Sequence, residues 1–361
     1  MQSDPTPAAG TTIEIEDVTQ AHNLDAKGFS TVTLVDKPEL SPKEGSNSPS
    51  SSCALNAIHS RQNPQLLMRE SMPDWYQHEP FIWSGYRPIT PSVAVCLRSW
   101  RYLHNESGNI YTHLFGAILF VAMLGYSWGH LAVLEGLTGV TWQDYLIFAT
   151  LHIGIASCFA LSTIFHTLCC HSKEMNRACL RADYAGIVFQ IGACFVSSVY
   201  YAFYCNKPVQ LAYLGMILTS GAATIFCNVS SRFMKPKYAI LRLFLFVAFG
   251  FLGLIPIGHS SVLYGFEFTK RSIAFNYVLL MAMFNLSGSV IFHCRIPECF
   301  YPGRFDYFGQ SHQIMHVCII LGALSHYFGI SESFRFWHLQ NGMCQIPMGQ
   351  MDLSVANMNG W

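Results

Sequence analysis

Seven apolar blocks run along the chain, at about residues 110–132, 144–168, 183–204, 208–230, 239–260, 273–293 and 312–331. Each is close to the roughly 20 residues an α-helix needs to cross a hydrocarbon core of about 30 Å. Short polar connections separate the blocks. The pattern predicts an all-α membrane protein whose seven transmembrane helices span residues 110–331. Pro256, near the end of the fifth block, predicts a kink there. Residues 1–70 are rich in Ser, Pro, Asp, Glu and Gly and carry neither helix nor strand period, so a disordered tail is expected. Residues 71–109 are a juxtamembrane segment. Trp75, Tyr76, Phe81, Ile82, Trp83 and Tyr86 form an aromatic cluster of the kind favoured at a membrane interface. Pro91 and Ser92 read as a helix start. Val93, Leu97, Trp100 and His104 follow at helical spacing between Arg98 and Arg101, which predicts a short amphipathic helix on the bilayer surface. Residues 332–361 form a short tail.

Composition sharpens this picture. Of 361 residues, 51% are hydrophobic and 12% charged, against about 25% charged in soluble domains. Formal net charge is zero, so there is no basic footprint for nucleic acid. The chain reads as an integral, multi-pass protein of the plasma membrane or an endomembrane. Met1 to Pro5 lacks a basic n-region and an apolar h-region, so no cleavable signal peptide is expected. Thirteen cysteines are present. Most lie inside apolar blocks, where a thiol behaves as a small hydrophobe, and no disulfide framework is visible.

The sign of the loop charges sets orientation. Arg87, Arg98 and Arg101 precede the first block, and the first loop has no Lys or Arg. The second loop carries Lys173, Arg177 and Arg181, and the third only Lys207. The fourth carries Arg232, Lys235, Lys237 and Arg242, the fifth Lys270 and Arg271, and the sixth Arg295 and Arg304. The basic set predicts a cytoplasmic N-terminus and an extracellular C-terminus. Sequons at Asn105 and Asn228 then lie on the cytoplasmic side and one at Asn285 lies within a helix, so none is expected to carry glycan. A glycan at Asn105 would overturn the orientation.

Topology selects among the histidines. His312 and His316 open the seventh block four residues apart, so both rings share one helix face. His166 ends the second block at the same cytoplasmic depth, and Asp183 opens the third. Ionisable groups inside a bilayer are costly and mark function, and zinc suits nitrogen ligands. His152 lies about 21 Å from His166 along its helix, and His326 about 15 Å from His316. Those two, with His259, belong near the other face. His113, His293 and His171 lie near inner helix ends and compete with His166, His312 and His316 as ligands. Ser162 shares the face of His166. Cys169 and Cys170 are softer candidates a turn beyond it.

Ordered motifs then carry a resemblance. Asn105-Glu106-Ser107-Gly108-Asn109-Ile110-Tyr111-Thr112-His113, Ser162-Thr163-Ile164-Phe165-His166, Asp183-Tyr184-Ala185-Gly186-Ile187 and Ser311-His312-Gln313-Ile314-Met315-His316 sit on four helices or flanks. Gly85-Tyr86-Arg87-Pro88 precedes them, and Pro297-Glu298 with Pro302-Gly303 lies between. Over about residues 80–338 the chain resembles the progestin and adipoQ receptors, which include the adiponectin receptors, the fungal Izh proteins and, more distantly, bacterial haemolysin III. Cys299 departs from the Arg usual after that Glu. The resemblance implies seven helices, a cytoplasmic N-terminus and an intramembrane zinc held by His166, His312 and His316. It maps an Asp that holds the zinc-bound water onto Asp183 and a Ser onto Ser162. It gives His113 and His293 no ligand role.

Three histidines leave one tetrahedral position for water, whose pKa on zinc can fall to about 7. Asp183 then fits a general base, and Ser162 a positioning group. The resemblance implies ceramide as substrate, cleaved to a sphingoid base and a fatty acid. A zinc-dependent lipid amidase is therefore expected. The alternative is a receptor or sensor for an extracellular protein ligand in which zinc is structural, although the extracellular loops are short. A channel is disfavoured, because no row of charges lines a path.

Overall fold

The computed structural model describes residues 65–338, apart from His78, Ser231 and Met234, together with Cys344. The expected disordered tail falls outside the described residues as far as position 64; of the C-terminal tail, residues 332–338 instead continue the last helix, and the remainder except Cys344 lies outside the described residues. Among the described residues there is no β-strand, only a single bridge between Leu67 and Tyr86.

The helices are α1 (Val93–Arg98), α2 (Ser107–Thr138), α3 (Trp142–Leu168), α4 (Lys173–Ala202) and α5 (Lys207–Val229), then α6 (Ala239–Phe251), α7 (Leu254–Tyr264), α8 (Phe266–Ser272), α9 (Phe275–Cys294) and α10 (Ser311–His338). Seven segments are long and apolar enough to cross a bilayer, α6 and α7 together making the fifth. The chain is a seven-helix integral membrane protein. Its main core lies between α2, α3, α4 and α10, around Phe120, Leu151, Phe159, Tyr201, Ile330 and Phe334. α9 packs principally along α10.

Two helix boundaries differ from expectation, each for a local reason. α4 begins at Lys173, ten residues before the apolar block. The Ser172 side chain accepts from the Met175 amide and caps it. Lys173, Arg177 and Arg181 are thus helical turns rather than loop, and Asp183 lies in the third turn instead of opening the helix. The fifth span breaks at Leu252 and Gly253. Pro256 has no amide hydrogen for the Leu252 carbonyl four residues back, and its ring crowds that carbonyl. Gly253 suits the break for a second reason: a Cβ there would sit 2.4 Å from the Phe195 ring on α4.

The juxtamembrane segment is a plug rather than a surface anchor. Tyr76, Ile82 and Tyr86 are buried with Phe165, Cys169 and Cys170. Ordered backbone begins before residue 71, since Leu67 exchanges hydrogen bonds with Tyr86 at 2.8 and 3.1 Å. Asp306 accepts from the Trp83 amide at 2.9 Å and the Ser84 amide at 2.8 Å, tying the plug to the loop before α10. In α1 the buried residue is Cys96, and Val93 and Leu97 face outward. His104, expected on the same face as Val93 and Leu97, is fully buried.

The firmest contact belongs to Arg87, 1% exposed. Its guanidinium donates to the carbonyls of His166 at 2.6 Å and Thr167 at 3.0 Å, and to the Ser99 hydroxyl at 2.8 Å. The last carbonyls of a helix lack amide partners and carry partial negative charge. Arg87 satisfies two of them at the end of α3. Asn176 adds a bond to the Cys169 carbonyl at 2.9 Å.

At the opposite end Cys205 and Cys344 form a disulfide across a separation of 139 residues, which the cysteine spacing did not signal. Asn105 and Asn228 are buried, so a glycan on either would be incompatible with this packing, and a lack of glycan at Asn105 says nothing about orientation.

Arg87→Lys keeps the charge but loses the fork. We expect it to lower stability by about 1.5–3 kcal/mol, read as a fall in thermal midpoint of the detergent-purified protein. An unchanged midpoint would mean that Arg87 is not what holds the end of α3.

Candidate metal centre

α10 starts where buried Glu298 accepts from the Ser311 amide at 2.8 Å and from its hydroxyl. His312 follows at once and His316 one turn later, both projecting from one face. α3 brings His166 from the other side, at the end that Arg87 holds. The rings of His166, His312 and His316 meet edge to face, with centroids 4.7–5.2 Å apart. One nitrogen of each lies within 4.8 Å of the other two. Tetrahedral zinc with nitrogen ligands at about 2.0–2.1 Å separates them by about 3.3 Å, so ring rotations of about 1 Å close the cluster. His166 Nε2 is buried and has no hydrogen-bond partner. An orphaned imidazole nitrogen among apolar atoms is costly, and a cation would satisfy it. The residues present fit a divalent transition ion.

Asp183 and Ser162 face the same cavity as the three histidines. The Ser162 hydroxyl bonds the Asp183 carboxyl, and His166 lies within its electrostatic reach. Ser162 is thus paired across helices rather than with its own backbone. The cavity has a volume of about 1200 Å³. Apolar residues of α6, α7 and α9, among them Phe246, Leu254, Met281 and Leu286, form much of its wall.

The remaining histidines take other places. His152 Nδ1 pairs with the Phe148 carbonyl at 2.6 Å, His326 Nε2 with the Ser197 hydroxyl at 3.1 Å and His259 Nδ1 with the Tyr213 hydroxyl at 2.9 Å. His171 Nδ1 bonds Ser172 at 3.2 Å, and His293 lines the cavity but is exposed. His113 is nearer than expected. It stacks on His316 with centroids 3.5 Å apart, and both its nitrogens are buried without partners. Cys169 bonds Arg87, and Cys170 lies 3.7 Å from Cys96, so neither thiol turns towards the cluster.

Sequence reasoning passed over Glu106, Asn109 and Thr112, which it met only as motif letters. Glu106 Oε2 lies 2.8 Å from His166 Nδ1 and accepts from Asn109 Nδ2 at 2.7 Å. Burial pushes the Glu106 carboxyl up, but its bonds to His166 and Asn109 outweigh this and hold it well below the usual carboxylate range. Thr112 Oγ1 lies 3.1 Å from His316 Nδ1. Positions 106, 109 and 112 share a helix face, and that spacing was the available signal. Gly108 lets this face approach α10, because a Cβ there would lie 2.3 Å from the Gln313 amide carbon.

These features define a seven-helix membrane protein with a histidine cluster able to hold a metal. A haemolysin-III-related family profile matches residues 101–327, and the chain belongs to that adiponectin-receptor-like family. It is 34% identical to "Adiponectin receptor protein" of Drosophila melanogaster over 77% of this chain and 62% of that protein. It is 33% identical to "Progestin and adipoQ receptor-like protein 1" of Caenorhabditis elegans over 74% and 61%. It is 35% identical to "ADIPOR-like receptor IZH1" of Eremothecium gossypii over 75% and 86%. The match thus spans under two thirds of the fly and worm proteins.

His316→Ala should abolish stoichiometric metal in the purified protein, whereas His113→Phe, which keeps the stack, should retain it. Elemental analysis of both variants checks this, and metal lost from the His113 variant would place that residue among the ligands.

Proposed function

We propose that this protein hydrolyses the amide of a ceramide-type lipid inside the membrane, using zinc held by His166, His312 and His316. The supporting observation is the convergence of those imidazoles with Asp183 and Ser162 on one cavity walled by apolar side chains. Its volume of about 1200 Å³ exceeds the roughly 300–1,000 Å³ of most small-ligand pockets and suits a lipid chain. Zinc bound there supplies Lewis acidity towards an amide carbonyl and towards water. Asp183 takes the proton of the attacking water and returns it to the leaving amine as the C–N bond breaks. Ser162 holds Asp183 in place. Water adds across the amide, and the products are a fatty acid and a sphingoid amine. The cavity reaches both α6–α7 and α9, which gives the acyl chain a path from the surrounding lipid.

The orientation we infer is N-terminus in the cytosol. Supporting it, the Arg-rich flank and the histidine cluster lie at one end of the bundle, and the Cys205–Cys344 disulfide lies at the other. Disulfides persist on extracytoplasmic faces. In intact cells, an impermeant label should reach a C-terminal tag and spare an N-terminal one; the reverse pattern defeats this orientation.

A receptor in which zinc is structural is the second reading. It is favoured by the word receptor in the relatives' names and by a cluster that joins α3 to α10 as a staple would. Asp183→Asn separates the two. Under the amidase reading it lowers ceramide hydrolysis by about 10²–10⁴-fold and keeps zinc content unchanged. Under the receptor reading it leaves ligand-driven output intact, while His312→Ala lowers stability. Zinc-loaded parent protein that neither cleaves nor retains ceramides of any chain length would sink the amidase.

A further inference from the structure

The motif at the start of α2 is not used by the hydrolysis just described, yet it touches two of the three clustered histidines. We propose that Glu106 and Thr112 are positioning residues that fix the tautomers of His166 and His316, so that both rings present Nε2 to the metal. The inference rests on the metal reading above and deepens it.

Hydrogen counting carries the assignment. A carboxylate has no hydrogen to give. Glu106 Oε2 already accepts from Asn109 Nδ2 at 2.7 Å, and it lies 2.8 Å from His166 Nδ1. His166 Nδ1 therefore carries the ring hydrogen, and Nε2 keeps its lone pair. That Nε2 is the buried atom without a partner. Thr112 reaches the same end differently. Its single hydroxyl hydrogen faces two carbonyls that can only accept, Gly108 at 2.8 Å and Asn109 at 3.1 Å. With its hydrogen spent there, Oγ1 can only accept from His316 Nδ1, 3.1 Å away. His316 Nδ1 is then protonated as well, and its Nε2 is the atom left to bind.

Charge gives Glu106 a second task. A divalent ion held by three neutral imidazoles keeps its full charge, and uncompensated charge within a bilayer is costly. Glu106 sets a negative group one ring away from the metal position. Partners of this kind orient ligand rings and raise their basicity, and losing one typically costs about 10–100-fold in metal affinity. α2 therefore acts as the outer wall of the centre while contributing no ligand of its own.

The test is zinc competition against a chelator, with the full chain purified in detergent, plus the visible spectrum of the cobalt-substituted protein. Glu106→Ala and Thr112→Val should each weaken zinc by about 10–100-fold and shift the cobalt bands. Glu106→Gln retains an acceptor but loses the charge, so it should keep the band positions near those of the parent and weaken zinc less than the alanine variant. Thermal midpoints are compared with and without zinc. The proposal requires the zinc-induced rise to shrink in Glu106→Ala. If both variants compete for zinc like the parent, or lose the same stability with and without metal, Glu106 and Thr112 are ordinary packing residues and the proposal fails. A parent chain that takes up no zinc overturns this assignment together with the metal reading. A parent that binds zinc while the variants are unchanged overturns this assignment alone.

Discussion

An imidazole inside a bilayer must find partners within the protein, because lipid offers none. Several of the rings here meet that demand with a single nearby oxygen. His152 leans on a carbonyl of its own helix, and His326 and His259 each meet a hydroxyl on a neighbouring helix. The cluster of His166, His312 and His316 differs. Partners behind two of its rings turn lone pairs forward rather than satisfying them, and one nitrogen is left bare. Much of the architecture at that end of the bundle follows from keeping those rings in place. Arg87 holds the end of α3, Glu298 holds the start of α10, and the plug around Tyr76 and Tyr86 seals the space below.

That economy has a cost in packing. The first half of α2 must press against α10 closely enough for Thr112 to reach His316, and at Gly108 a Cβ would push the Gln313 side chain out of its place. On the far side of the cluster only the wall formed by the fifth span is looser. α9 packs along α10, and the broken fifth span leaves α6 and α7 leaning on α4 and α5. The tight side carries the polar contacts and the loose side lines the cavity. A centre that must be both rigid and reachable by a lipid would divide its walls in this way.

The spans were legible because apolar length and helix period are local properties of a chain. The pair His312 and His316 was legible for the same reason: four residues is one helical turn. Depth alone left His113 and His293 in contention, since a one-dimensional reading gives height in the membrane but not direction around a helix. The start of α4 was missed because Lys173, Arg177 and Arg181 look like loop residues, although each lies in a capped helix that projects beyond the apolar layer. Arg87 was counted as an orientation charge, and nothing in its neighbourhood says that its guanidinium turns inward. Glu106 and Thr112 were hidden by separation: their partners lie 60 and 204 residues away. The bond between Cys205 and Cys344 was hidden likewise.

Those separations also set an order of events during synthesis. α2 is made early and carries Glu106 and Thr112 into the membrane before their histidine partners exist. At about 5–20 residues per second, His166 follows Glu106 within about 3–12 s, but His316 follows Thr112 only after about 10–40 s. Until α10 arrives, Thr112 on α2 lacks the imidazole it meets in the finished protein. The histidine cluster is therefore complete only once α10 has been made, since two of its three rings lie on that last helix.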